Sequence, residues 1–432
     1  LLGTFWLALL AAALAGCNTG KGVTDPAVQF ANFRAANFIP DASGPINVTV
    51  DGNNVASGVA FEAVSPYQQI SSGTRSVQVS VAGTAGDIIS SSPTFVGTVN
   101  YTFLTYGSIE DPAFLTIADL RSDPGAGFFS IRAINAATGV AAVDVYITPP
   151  GADLNTAAPN LGGVGLGSTT LSVVLPVGNY QIRVTLAGTK QVIYDTTPQT
   201  FAEHTQFEAI VYTHASSTLV GVTLLNIDSA SAPVIKPNLL AQFKVVNGSS
   251  VPSPLNVFIN QDLLLSNIPA GGASSYQETP AGSATLSVEA TSTPGAPLLT
   301  ISPNFPPGTD SSILFTGTAG ALKALVLSDN NLRPVPIRAR VRFVNGTTDV
   351  SALDVYVNFS KQIAGLAMNS ASPGLEFSAD PDAGTNYEID FNVAGTNQPS
   401  LKMPVTLFGG RVYTIYAVGT QAALSGILTA DN

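Results

Sequence analysis

Cysteine, histidine, methionine and tryptophan are nearly missing from this 432-residue chain, which holds one Cys, two His, two Met and one Trp. One Cys excludes a disulfide within the chain, so each domain is expected to rest on its own apolar core. Two His, at His204 and His214, exclude a His-based site repeated along the chain. Charged residues make up only 10% of the sequence, and 28 acids against 17 bases leave a net charge of −11. No stretch gathers the Lys/Arg cluster that a phosphate backbone needs, which argues against nucleic acid. The same charge repels anionic head groups, so membrane contact must come from elsewhere. His-Glu-x-x-His, Gly-x-Ser-x-Gly and P-loop patterns are absent, and with them the usual nucleophile and metal constellations. The reading is a protein that is not an enzyme and needs no cofactor; an enzyme on an unfamiliar scaffold would need a polar cluster that the sequence does not display.

What is present is a β-rich composition: 45% hydrophobic residues, 40 Gly and 29 Pro. The length suits three or four domains. Residues 1–16 form an uncharged apolar run ending in small residues. As a helix it would span roughly 24 Å, short of a hydrocarbon core of ~30 Å, so it reads as the core of a signal peptide. The run opens on Leu1, without Met or a basic segment, as expected of a signal peptide missing its first residues. Leu14-Ala15-Gly16-Cys17 resembles the bacterial lipobox, which implies lipid on Cys17 and an exported lipoprotein anchored through it. Asn18 after the Cys, in place of Asp, points to the outer membrane or cell surface rather than the inner membrane.

A motif recurs four times: an apolar strand closing on Asn, a short loop, then a strand opening with an Asn or Asp before Val. The closing residues are Asn37, Asn135, Asn247 and Asn345; the second strands carry Asn47, Asp144, Asn256 and Asp354. The two are 10, 9, 9 and 9 residues apart, and the pitch between successive copies is 97, 112 and 98 residues. That pitch is the size of an immunoglobulin-like domain and far above a solenoid unit. Alternation such as Val77, Val79, Val81 against Gln78 and Ser80 marks half-buried antiparallel strands. The expectation is all-β: four tandem immunoglobulin-like antiparallel β-sandwich domains over 32–122, 128–230, 239–331 and 337–432, after a signal peptide (1–16) and a lipidated tether (17–31), with Gly- and Pro-rich boundaries between them.

The Asp-Val-Tyr strands at Asp144 and Asp354, the Ser-x-Tyr steps at Ser65-Pro66-Tyr67 and Ser274-Ser275-Tyr276, and the turn Pro40-Asp41-Ala42 resemble the bacterial domain-of-unknown-function family 4397. Copies one and three replace the Asp by Asn47 and Asn256, and copies two and four lack the Tyr. The resemblance implies a β-sandwich in tandem copies and no activity.

Several residues are candidate sites. His204 and His214, with Glu203 and Glu208 nearby, read as solvated polar residues before a metal or acid–base pair. Acidic clusters at 380–384 and 329–331 could offer oxygens to Ca²⁺, but Asp, Asn, Pro and Gly are also what turns require. The second copy carries an insert over 148–167, with Ser168 matching Ser65; it reads as a tolerated surface insertion before a binding loop. Tyr146, Tyr180, Tyr356 and Tyr387 are taken as core. The leading function is a lipid-anchored structural or adhesive stalk, four units in line, with a protein or glycan partner on outer loops such as 380–385. The alternative is a glycan- or solute-binding lipoprotein serving a transporter or enzyme.

Overall fold

A computed structural model of the chain describes residues 29–227 and 233–432. The expected signal peptide, Cys17 and nearly all of the tether lie outside these residues. Each of the four units is two facing sheets. In the first unit, Phe30–Phe38 is central to one sheet, between Asn100–Gly107 and the short strands Ala63–Val64 and Gln68–Ser71; Pro112–Ala118 completes it. The facing sheet sets Ile46–Val50 between Asn53–Val59 and Val77–Val81, with Asp87–Ser91 outside. The other units repeat this plan around Phe128–Ala136, Leu240–Asn247 and Arg338–Thr347.

Pairing is antiparallel except at one seam in each unit, where the first strand runs parallel to the penultimate one, as Phe33 beside Tyr101 and Phe343 beside Ile415. The excursion through the facing sheet supplies the long connection that parallel neighbours need. The facing sheets behave as their alternation predicts, with Val77 and Val79 in the core and Gln78 and Ser80 turned outward.

The first sheets differ: they are buried on both faces. Phe33, Ala35 and Phe103 point into the first unit's own core, whereas Ala36, Phe38, Leu104, Tyr106 and Ile117 pack against Ile134, Ala136, Ile210, Tyr212 and Leu225 of the second unit. Units three and four join in the same way through Val246, Leu314 and Leu327 against Val344, Tyr416, Val418 and Ile427. The expectation that each domain rests on its own core alone is therefore corrected, because half of each first sheet is core only when the neighbouring unit covers it. The expectation of four units in line is corrected for the same reason. The chain is two modules, each a face-to-face pair.

The segment before the third unit also departs from a plain linker. Val234–Lys236 adds a strand beside Val220–Asn226 of the second unit. Asn238 then donates to Ile193 O and Val220 O and accepts from the N–H groups of Asp195 and Leu240, tying the third unit's first strand to the second unit.

Candidate functional site

The repeated Asn and Asp residues prove to be fold chemistry. Each Asn that closes a first strand is fully buried and bridges the two sheets: Asn135 Nδ2 donates to Val164 O at 3.0 Å and Val140 O at 3.4 Å, and its Oδ1 accepts from Ala137 N at 3.0 Å. Asn37, Asn247 and Asn345 do the same with Val59 O, Ile268 O and Leu366 O. The second Asn or Asp faces a β-bulge and accepts the N–H of its left-handed residue. Asn47 takes Gly58, Asp144 takes Gly163, Asn256 takes Asn267 and Asp354 takes Gly365, at φ of 65°, 62°, 57° and 67°. Gly or Asn is needed there because other side chains resist that backbone region. Asp144 and Asp354 also accept from the next turn, at Gly188 and Gly395. Asn135→Leu should strand two carbonyls and one N–H, lowering stability by about 1–3 kcal/mol; urea unfolding should show a lower midpoint with unchanged slope.

Ionisable side chains concentrate where two units meet. In the first module Asp119 is reached by Arg34 at 3.2 Å, by Thr102 at 2.7 Å and by the Tyr67 hydroxyl, while Arg132 of the second unit binds Glu208, donates to Ala118 O and lies 3.8 Å from Asp119. In the second module Asp329 is held by Tyr276, by Ser312 and by Arg342 of the fourth unit at 2.7 Å, and Lys244 binds Asp431 and Thr429. Burial, with the Asp119 carboxylate beside it, pushes the Glu208 carboxyl up to about 7 against the pull of Arg132. Burial and Asp329 likewise raise the Tyr276 phenol, which stays protonated and donating.

The Tyr that only odd copies carry lies on these seams. The preceding Ser or Thr caps the first strand in every unit: Ser65 accepts from Ala35 N, Thr170 from Ala133 N, Ser274 from Val245 N and Ser372 from Phe343 N. Two residues on, units one and three place Tyr67 and Tyr276 on the seam carboxylates, and units two and four have Ser172 and Gly374. The second copy's counterpart of Ser65 is thus Thr170; the match expected at Ser168 is two residues off.

The other candidate site residues scatter. His204 pairs with Asp123 at 2.7 Å on an exposed surface, His214 lies against Phe61 and 3.9 Å from Glu62, and Glu208 is buried in the seam. Asp380 spends its Oδ1 on the N–H groups of Asp382 and Ala383, which holds its carboxyl below the usual range. Asn330 caps Leu332, and Asn331 donates to Asp310 and Tyr276. Among the described residues no three His, Cys, Asp or Glu converge as a metal site. The insert over 148–167 is a packed cover: Lys190 donates to Ala157 O and Arg183 to Ala152 O, burying Tyr146 beneath it. Tyr180 and Tyr387 pack on their cores, but Tyr146 and Tyr356 do not, being in phase with Asp144 and Asp354 on the outer face, each under a lysine. A cleft of about 560 Å³ opens beside the second seam, lined by Arg340, Arg342, Asn331, Ser372, Glu376 and Asp41 of the first unit. Asn331 Oδ1 is buried there without a hydrogen-bond partner among the described residues.

Comparison with curated proteins finds no match. Among solved structures, the chain is similar to CBMbc (family CBM26) from Eubacterium rectale Amy13K, in complex with maltoheptaose, at 10% identity and a TM-score of 0.14, over 43% of this chain and 92% of that one. It is also similar to the Bacillus anthracis TIE protein at 9% identity and a TM-score of 0.15, over 90% of this chain and 67% of that one. Scores this low carry no argument. The family comparison is of another order: it matches residues 31–146, 241–356 and 339–432. The first two matches begin in the first strand of an odd unit and end in the Asp-Val-Tyr strand of the next, so they repeat with the module. With more than half of its residues matched, the chain belongs to the family described as Domain of unknown function (DUF4397).

Proposed function

We propose that this chain is a non-enzymatic, lipid-anchored protein of the bacterial envelope or surface, acting as a structural or adhesive scaffold of two paired β-sandwich modules. The observation that carries the reading is where the charge is spent: Lys244 and Arg342 reach Asp431 and Asp329 of the adjoining unit, Arg132 lies 3.8 Å from Asp119 of the first unit, and the Arg34–Asp119 and Arg132–Glu208 pairs, each within one unit, line the same seam. A family without an assigned activity accords with it. Lipid on Cys17 ties the scaffold to the outer membrane or cell surface, and outer loops such as 380–385 offer the contact with a protein or glycan partner. In cells, Cys17→Ser should move the protein from the membrane fraction to the soluble one, because stable anchoring takes two or more acyl chains. Mass spectrometry of the amino-terminal peptide decides the matter, and an unmodified Cys17 in natively processed protein would overturn the anchor.

The cleft beside the second seam favours a second reading, a glycan- or solute-binding lipoprotein serving a transporter or enzyme, since its volume and convergent polar groups suit a small hydroxylated ligand. A glycan array on the soluble form tests it.

A further inference from the structure

The two modules meet head to tail. One end of the first module is built from four loops, at Pro40–Asp41, Gly107–Ser108, Thr138–Gly139 and Thr213–Ser217, and it closes over residues 331–336, the strap between units three and four. Asn331 N donates to Ala215 O at 2.9 Å, Arg340 donates to Leu332 O, and Asn331, Leu332 and Pro334 are buried. Only about 130 Å³ of this groove stays open.

The second module ends in the same four loops. By strand register Gly317 stands where Gly107 does, Thr348 where Thr138 does and Gly419 where Thr213 does. Gly107 and Gly317 share one turn: their φ values are 98° and 95°, and a Cβ on either would meet Asp111 O at 2.5 Å or Ala321 O at 2.4 Å. With Ser250 and Thr318 these residues line a groove of about 220 Å³. No segment among the described residues fills it.

We propose that this second groove binds an extended, proline-containing peptide segment of a partner protein, of the kind the first groove takes from its own chain at residues 331–336. A lining of Gly, Ser, Thr and Ala lets a backbone come close. An extended proline-containing segment loses little conformational freedom on docking. The first groove receives its strap at the high effective concentration of one chain, so capture from outside is weaker, with a Kd on the order of 0.1–1 mM. The assignment stands whether or not the chain is anchored.

The test is fluorescence anisotropy of a labelled peptide with the sequence of residues 329–337, titrated with the mature full-length chain carrying Cys17→Ser. Saturable binding is expected, at least tenfold weaker in Thr318→Trp and Thr348→Trp, which fill the groove, with their thermal transitions unchanged. Should either variant misfold, Ser250→Trp serves. A peptide carrying Leu332→Ser and Pro334→Ser should not bind. Absence of saturable binding at millimolar concentrations would overturn the proposal, as would equal affinity for the groove-filled variants, which would mean that the peptide sits elsewhere.

Discussion

Asp431→Ala should unfold units three and four together, at a cost of about 3–5 kcal/mol, by leaving a buried cation without its partner. Lys244, in the third unit, is 1% exposed, and its ammonium is held by Asp431 and Thr429 of the fourth, with the Tyr276 ring 5.2 Å away. For a module of this size that cost lowers the thermal midpoint by roughly 6–20 °C. Calorimetry should show one transition moving while that of the first module stays in place. The double change Lys244→Met with Asp431→Leu should restore most of the loss, since an apolar pair can replace a buried ion pair of similar volume. The same physics applies to fragments. Residues 239–432 should fold cooperatively, whereas 239–331 alone would expose Val246, Leu314 and Leu327 to water. A stable, monomeric third unit would show that the seam is dispensable.

At the first seam the expected effect is on pH. The Glu208 carboxyl is raised from 4.5 to about 7 in the folded chain, so between those values the native state keeps a proton that the unfolded chain has released. Its contribution to stability is complete below about pH 4.5 and is lost as pH rises through 7, because stability falls with pH wherever the native state binds more protons. Glu208→Gln keeps an acceptor for Arg132 and removes the titration. The difference in unfolding free energy between wild type and variant should therefore change by a few kcal/mol from pH 4.5 to 7 and stay flat above. A difference independent of pH would mean that Glu208 is ionised throughout.

Much of each unit was legible in sequence because it is local. The alternation of Val77, Val79 and Val81 sets which face is core, and the spacing from Asn135 to Asp144 fixes where one sheet hands over to the other. The pairing of units is not local and does not show in that alternation, although the sequence carries a signal for it. Strands such as Ile131-Arg132-Ala133-Ile134-Asn135 lack a polar face, and each five-residue copy of that motif holds one cation, at Arg34, Arg132, Lys244 or Arg342. A strand with no solvent side is buried twice, and a cation in it needs a buried carboxylate, which Arg34 and Arg132 find within their own units at Asp119 and Glu208, and Lys244 and Arg342 find across the interface at Asp431 and Asp329. Apolar phase alone misplaces two of the tyrosines: Tyr146 and Tyr356 stand two residues from an outward Asp and must share its face.

The alternation of Tyr67 and Tyr276 with Ser172 and Gly374 makes neighbouring units unequal partners, an odd one that supplies the tyrosine and an even one that does not. Recombination between repeats would then conserve matched faces only when it adds or deletes an even number of units. An array with an odd count would end on an uncovered apolar sheet, a liability for aggregation. Selection on such genes should therefore act on the pair, and lengths should grow in steps of about two hundred residues, the size of two domains.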